Sequence, residues 1–185
     1  MIAIRRGVFE TNSSSMHSLI IKKEDDYLTK EELSQEVHLY TEDGWHPDGD
    51  VGKFGLYIGG DEGYFGRSPF RVLGSFKEKL CYYIASMCDD EDDFKAIEDD
   101  VSLLIDGCKG ISLWGDQDEY HPYGYAENYG SFKRFLQDRQ ITLREFLTNK
   151  RYIIIVDGDE YCEFEKLMQS GLINDCNIEW IESLT

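Results

Sequence analysis

The chain predicts an α+β fold, organised as a single domain over residues 1–185 in which a mixed or antiparallel sheet packs with several helices. Three observations carry that expectation. Tyr152 to Val156 is an uninterrupted apolar run, the pattern of an interior strand covered on both faces. Ser75 to Met87 and Asp90 to Ile105 each repeat apolar residues at helical spacing. Strands and helices are also mixed without the regular alternation that a doubly wound parallel sheet requires.

The elements follow in order. Ser18 to Lys22, with Leu19, Ile20 and Ile21, reads as the first strand. Thr29 opens a short helix, because in Thr29-Lys30-Glu31-Glu32 the hydroxyl and the second glutamate can each satisfy a free backbone N–H of the other. Val37 to Tyr40 reads as a strand with Val37 and Leu39 on one face and His38 and Tyr40 on the other. Lys53 to Ile58 is another, between turn signals at Pro47-Asp48-Gly49 and Gly59-Gly60.

Ser75-Phe76-Lys77-Glu78 is a second capping box, and Phe76, Leu80, Tyr83, Ile84 and Met87 should face the core. The next helix turns Phe94, Ile97, Val101 and Leu104 inward and ends near Gly107 and Gly110. Ile111 to Trp114 is a short strand, and Gly115 to Gly130 a long polar and aromatic loop. Ser131 to Asp138 and Thr142 to Asn149 are short helices, the second opened by Thr142 and Glu145 as a third capping box. Beyond the apolar strand, Asp157-Gly158-Asp159 is a turn, Glu160 to Ser170 a helix stopped by Gly171, and Asn177 to Ile181 a last strand.

Charge narrows the classes of function. Lys and Arg number 19 against 37 Asp and Glu, so the formal net charge is −18. Hydrophobic residues at 41% and aromatics at 14% exclude a disordered acidic tail, which has too little to bury. A chain of the same sign as a phosphate backbone is not expected to bind nucleic acid directly. No run of about 18 apolar residues is present, so no membrane span is expected. Arg5 and Arg6 are not followed by an apolar stretch, so no secretory signal is expected either. The five cysteines Cys81, Cys88, Cys108, Cys162 and Cys176 are odd in number and contain no C-x-x-C. That pattern reads as reduced, mostly buried thiols in a cytoplasmic protein, and not as a disulfide framework or a zinc finger.

Two segments could carry chemistry. In the first, Asn12, Ser13, Ser14 and Ser15 precede His17, so a serine with His17 as base is the catalytic alternative, that of a small hydrolase or transferase. The favoured reading of the same residues is a turn or polar binding loop, in which Asn12 and the serines bond their own backbone before the strand begins. The second segment is acidic: Asp89, Asp90, Glu91, Asp92 and Asp93, then Glu98, Asp99, Asp100 and Asp106, offset within that stretch only by Lys95. Asp92, Asp99 and Asp106 recur every seven residues, about 10 Å apart along a helix rising 1.5 Å per residue. Regularly spaced negative charge of this kind suits a basic groove, although acids also favour a helix N-terminus and an ordinary solvated face.

Elsewhere the signals are weaker. Asp157, Asp159 and Glu160 follow a strand end but lack the twelve-residue calcium-loop pattern, and Asp-Gly is first a turn signal. His17, His38, His46 and His121 form no H-x-x-x-H pair. The glycines between Gly55 and Gly66 contain neither G-x-G-x-x-G nor G-K-[ST]. No metal or cofactor is expected.

The string Phe9-Glu10-Thr11-Asn12-Ser13-Ser14-Ser15, followed by His17-Ser18-Leu19, resembles the opening of many uncharacterised proteins of phages, prophages and Firmicutes-type bacteria. The resemblance spans about the first twenty residues and assigns no catalytic role. It implies a mobile-element context, where small acidic proteins are often inhibitors of host defence, anti-CRISPR proteins among them. The leading expectation is therefore a non-enzymatic, acidic protein in the host cytoplasm. Its partner would be a basic host protein such as a CRISPR effector nuclease, whose nucleic-acid groove it occupies by DNA mimicry.

Overall fold

The structure, a computed structural model, describes residues 16–37, 39–40, 55–65, 70–114, 123–126, 129–157 and 178–184. The elements run β1 (Met16–Lys22), α1 (Lys30–Glu36), β2 (Leu39–Tyr40), β3 (Gly55–Gly59), a 3-10 turn (Gly60–Gly63), β4 (Tyr64–Phe65) and β5 (Arg71–Leu73). Then come α2 (Phe76–Met87), α3 (Glu91–Leu104), β6 (Ile111–Trp114), β7 (Tyr125–Ala126), α4 (Tyr129–Asp138), α5 (Leu143–Thr148), β8 (Tyr152–Asp157) and β9 (Ile178–Ser183).

The apolar run of the sequence forms β8, an interior strand of a four-stranded sheet in the order β5-β8-β1-β9. All three pairings are antiparallel, with Leu19 opposite Ile154 and Ile20 opposite Ile153 and Ile181. The alternation of a strand explains why the run has no polar position. Leu19, Ile21, Tyr152, Ile154 and Val156 enter the main core on one face. Ile153 and Ile155 join Ile20 and Ile178 in a second cluster on the other, against Phe70 and Val72. Ile153 and Ile154 are 1% and 0% exposed, as a strand covered on both faces should be. The smaller β2-β3-β6 sheet is mixed, antiparallel at β2-β3 and parallel at β3-β6, and β4 pairs β7 in parallel. The architecture is α+β, as the sequence predicts.

Helix boundaries follow the caps. Thr29 and Ser75 form two of the three expected capping boxes. At Thr142 only the threonine half forms: its hydroxyl accepts the Glu145 N–H, and the Glu145 carboxylate accepts the Tyr152 hydroxyl at 2.7 Å. The strand expected from Val37 is shorter at its start, because the Val37 N–H donates to Leu33 O and closes α1. Helix α4 begins at Tyr129, earlier than Ser131, and β7 lies inside the stretch expected to be loop. The expected helix Glu160 to Ser170 and the strand start at Lys53 fall outside the described residues. Gly124, at φ +93°, lets the chain pass close to the end of the 3-10 turn: a Cβ there would clash with the Gly63 carbonyl oxygen.

Helix α2 runs through the middle. No residue of it is exposed. Phe76, Leu80 and Ile84 are buried as the stripe predicts, Tyr83 and Met87 are half-buried, and Lys79, Cys81, Tyr82 and Ser86 on the remaining faces are buried too. The Tyr82 ring sits 5.1 Å from both Phe65 and Phe132 in edge-to-face contacts, so β4 and α4 meet on it.

Candidate functional site: the acidic helix

Helix α3 packs on α5 and α2 through Ile97 and Val101, which are buried, and Phe94 and Leu104, which are half-buried. Phe94 stacks on Tyr123 at 5.3 Å between ring centroids. This apolar stripe occupies one side of the helix at 100° per residue. The opposite side carries Asp92, Ala96, Asp99, Asp100 and Leu103, all exposed. Leu103, at 84%, is the most exposed of the large hydrophobic residues described, and it lies in the last turn, one turn beyond Asp99 and Asp100.

The nine sequence-predicted acids divide by what they touch. Asp90 is the N-cap, its carboxylate accepting the Asp93 N–H at 2.9 Å, while Asp93 accepts the Asp89 N–H at 3.1 Å. These two, with Glu91 and Asp92, complement the free N–H groups and the positive end of the helix. Glu98 faces inward instead: its carboxylate accepts the Ile111 N–H at 2.9 Å and ties α3 to the start of β6. Asp99 meets Lys95 at 3.1 Å, Asp89 meets Lys133 at 3.9 Å, and Asp106 meets Lys30 at 3.3 Å, all at the surface. Among the described residues, no Lys or Arg is paired with Glu91, Asp92 or Asp100.

One detail of the expected stripe changes. Asp92 and Asp99 keep the seven-residue repeat on one face. The helix ends at Leu104, and Ile105 turns extended at φ −115° and ψ 111° as the C-cap, with Gly107 at φ +87° just beyond. Asp106 therefore lies past the helical repeat and is held by Lys30 of α1. Asp100 and Leu103 take its place on the outward face.

Of the residues of the catalytic alternative, Asn12, Ser13, Ser14 and Ser15 lie outside the described residues. His17 belongs to β1, opposite Val156, at 0% exposure, with Nδ1 hydrogen-bonded to the Tyr82 hydroxyl at 2.9 Å. Burial pushes the Tyr82 hydroxyl above the usual phenol range. Burial likewise lifts the Cys81 thiol to about 12 and the Cys88 thiol to about 12, the latter helped by Asp93 and Asp89. Both stay protonated and poorly nucleophilic at neutral pH. Among the described residues, no group of three or more His, Cys, Asp or Glu side chains is placed to hold a metal ion, and no helix is long and apolar enough to cross a membrane.

A polar residue that the sequence reading passed over is Lys79, fully buried on α2. The signal was present: after Lys79, the helix has no charged residue through Met87, which is not how a surface helix reads. Asn149, also at 0% exposure, does more than end α5. Its side-chain oxygen accepts the Arg151 and Asp26 N–H groups, and its amide donates to Asp25.

Fold and surface together define an α+β protein with a buried central helix and an acidic, outward-facing one beside it. No protein-family model, curated protein or solved structure matches the chain.

Proposed function

We propose that the protein is a non-catalytic, acidic interaction protein that seats the outer face of α3 in a basic, nucleic-acid-binding groove of a partner protein. The observation that carries this reading is the exposed row of Asp92, Asp99 and Asp100 with Leu103 at its C-terminal end. Carboxylates there take the positions of phosphates and set orientation and association rate, while Leu103 and Ala96 supply short-range apolar contact. The net charge of −18 extends the attraction beyond the contact itself. The opening string Phe9 to Leu19 supports a mobile-element setting, and in that setting the partner is a host-defence nuclease of the CRISPR effector kind.

The test uses purified CRISPR effector nucleases and their DNA cleavage assays. The protein should slow cleavage when added before the DNA, less so as salt rises. The triple variant Asp92→Lys, Asp99→Lys, Asp100→Lys moves the formal net charge from −18 to −12 and leaves Ile97 and Val101 in place. It should lose inhibition by about tenfold or more, the scale of steered association. Inhibition by neither protein, or equal inhibition by both, overturns the reading.

A further inference from the structure

Lys79 sits where α2 crosses the end of α5, at 0% exposure. Its Nζ donates to the carbonyl oxygens of Phe146 and Asn149, each at 3.0 Å, and lies 5.8 Å from the centroid of the Phe146 ring. Those carbonyls belong to the last turn of α5 and its C-cap, where free carbonyls collect. Lys79 thus ties the closing turn of α5 to the central helix.

The charged groups around the amine are few. Glu36 faces it from α1 and Lys22 from β1. The Glu36 carboxylate already accepts the Phe76 N–H at 2.7 Å, and Lys22 opposes a second positive charge. From α5 and β8 come Phe146 and Tyr152, and the Tyr152 hydroxyl is held by Glu145. On α2 itself, Lys77 pairs with Glu62, and Glu78 caps the helix. Among the described residues, no carboxylate forms an ion pair with Lys79. A neutral amine has two N–H donors, and the two carbonyls match them. An ammonium has three, and a buried charge without a counter-ion is costly.

We propose that Lys79 is a proton-controlled latch between α2 and α5: without its extra proton it holds the end of α5 closed, and proton uptake loosens the turn that Asn149 organises. Burial, opposed by Glu36 and reinforced by Lys22, brings the amine down from 10.5 to about 7. The loosening reaches the β1–α1 connection, because the Asn149 side chain bonds Asp25 and Asp26 there.

The sign follows from linkage. In the unfolded chain the lysine keeps its proton up to its ordinary range, so between about pH 7 and 10 unfolding takes up a proton and stability rises with pH. Urea unfolding of the intact chain and of Lys79→Met, from about pH 6 to 9.5, should give a ratio of unfolding constants, parent to variant, that falls by about tenfold per pH unit above neutrality. A constant ratio overturns the proposal. Amide exchange, corrected for intrinsic rates, should show residues 147–151 opening more at about pH 6 than at pH 8 in the parent, and by a smaller factor in Lys79→Met. An equal pH dependence of these residues in parent and variant overturns it. If Lys79→Met does not fold, the lysine Cε resonance of Lys79 in the 13C-labelled parent decides: a midpoint near neutrality supports the latch, and one in the ordinary lysine range overturns it.

Discussion

Helices α2 and α3 are neighbours in sequence, each opens on a side-chain cap, and each carries an apolar stripe of similar length, yet their fates are opposite. α2 is enclosed by α4, α5, the 3-10 turn and the β4–β7 pair, and shows no exposed residue. α3 rests on one side only and exposes eight of its fourteen residues, Glu91, Asp92, Asp93, Lys95, Ala96, Asp99, Asp100 and Leu103. The difference teaches that an apolar stripe marks where burial begins and leaves open where it stops. The residues off the stripe settle the matter: Cys81, Tyr82 and Ser86 in one helix, Asp92, Asp99 and Asp100 in the other.

The sharpest way to break this contrast is to truncate one leucine in each helix. Leu80 is 0% exposed and Leu103 is 84% exposed. Leu80→Ala should cost about 2–5 kcal/mol, and Leu103→Ala should stay within about 0.5 kcal/mol, by urea unfolding. Similar losses from both would mean that the α3 face is covered.

Within α3 the same contrast applies to its acids. Glu98→Ala removes the acceptor of the Ile111 N–H beside the core and should cost about 1–3 kcal/mol. Asp92→Ala, by the same measurement, should leave the unfolding midpoint nearly unmoved. If Asp92 proved the costlier residue, the division into a structural and an outward acid would be wrong.

The caps give a smaller effect. Ser75→Ala should cost α2 about 1 kcal/mol, the usual worth of an N-cap. Asp90→Ala should cost α3 less, because Asp89, Glu91, Asp92 and Asp93 repel the charge it removes. Raising the salt concentration should narrow the gap between the two variants, since it screens that repulsion.

The smallest effect belongs to α1, whose cap glutamate has an ion-pair partner as Asp92 and Asp100 of α3, among the described residues, have not. The Lys150 ammonium, bonded to Glu32 at 2.7 Å, and the Thr29 N–H at 2.9 Å hold that carboxyl down from 4.5 to about 2. A depressed carboxyl contributes stability above its unfolded value and loses it as pH falls through the folded one. Glu32→Gln should therefore flatten the acid limb of the stability profile between about pH 4.5 and 2 relative to the parent. Parallel limbs would show that Lys150 gains nothing from its partner.

Much of the fold was legible in particular residues. Ile153, Ile154 and Ile155 announced an interior strand, because alternating side chains that are all apolar require cover on both faces. Thr29, Ser75 and Thr142 located helix starts, because hydroxyl caps act through adjacent backbone groups. The candidate site was legible in the same way, since Asp92 and Asp99 share a face by helical geometry alone. Asp106 did not keep that face, because the extended Ile105 and the positive φ of Gly107 end the repeat.

The local choices are written in the chain: which segments coil, where a hydroxyl cap starts a helix, and which face of a strand or helix is apolar. These depend on neighbours within about four residues. Only the tertiary structure decided what lies against them. Lys79 is buried because α5 arrives from sixty-seven residues away to present the Phe146 carbonyl. Glu98 turns inward because β6 starts beside it. Asn149 becomes a hub because the Asp25–Asp26 loop passes within hydrogen-bond reach. Each of these polar groups reads as a surface residue by composition, and each is inside or structural because a partner distant in sequence satisfies it, which is the condition for burying it.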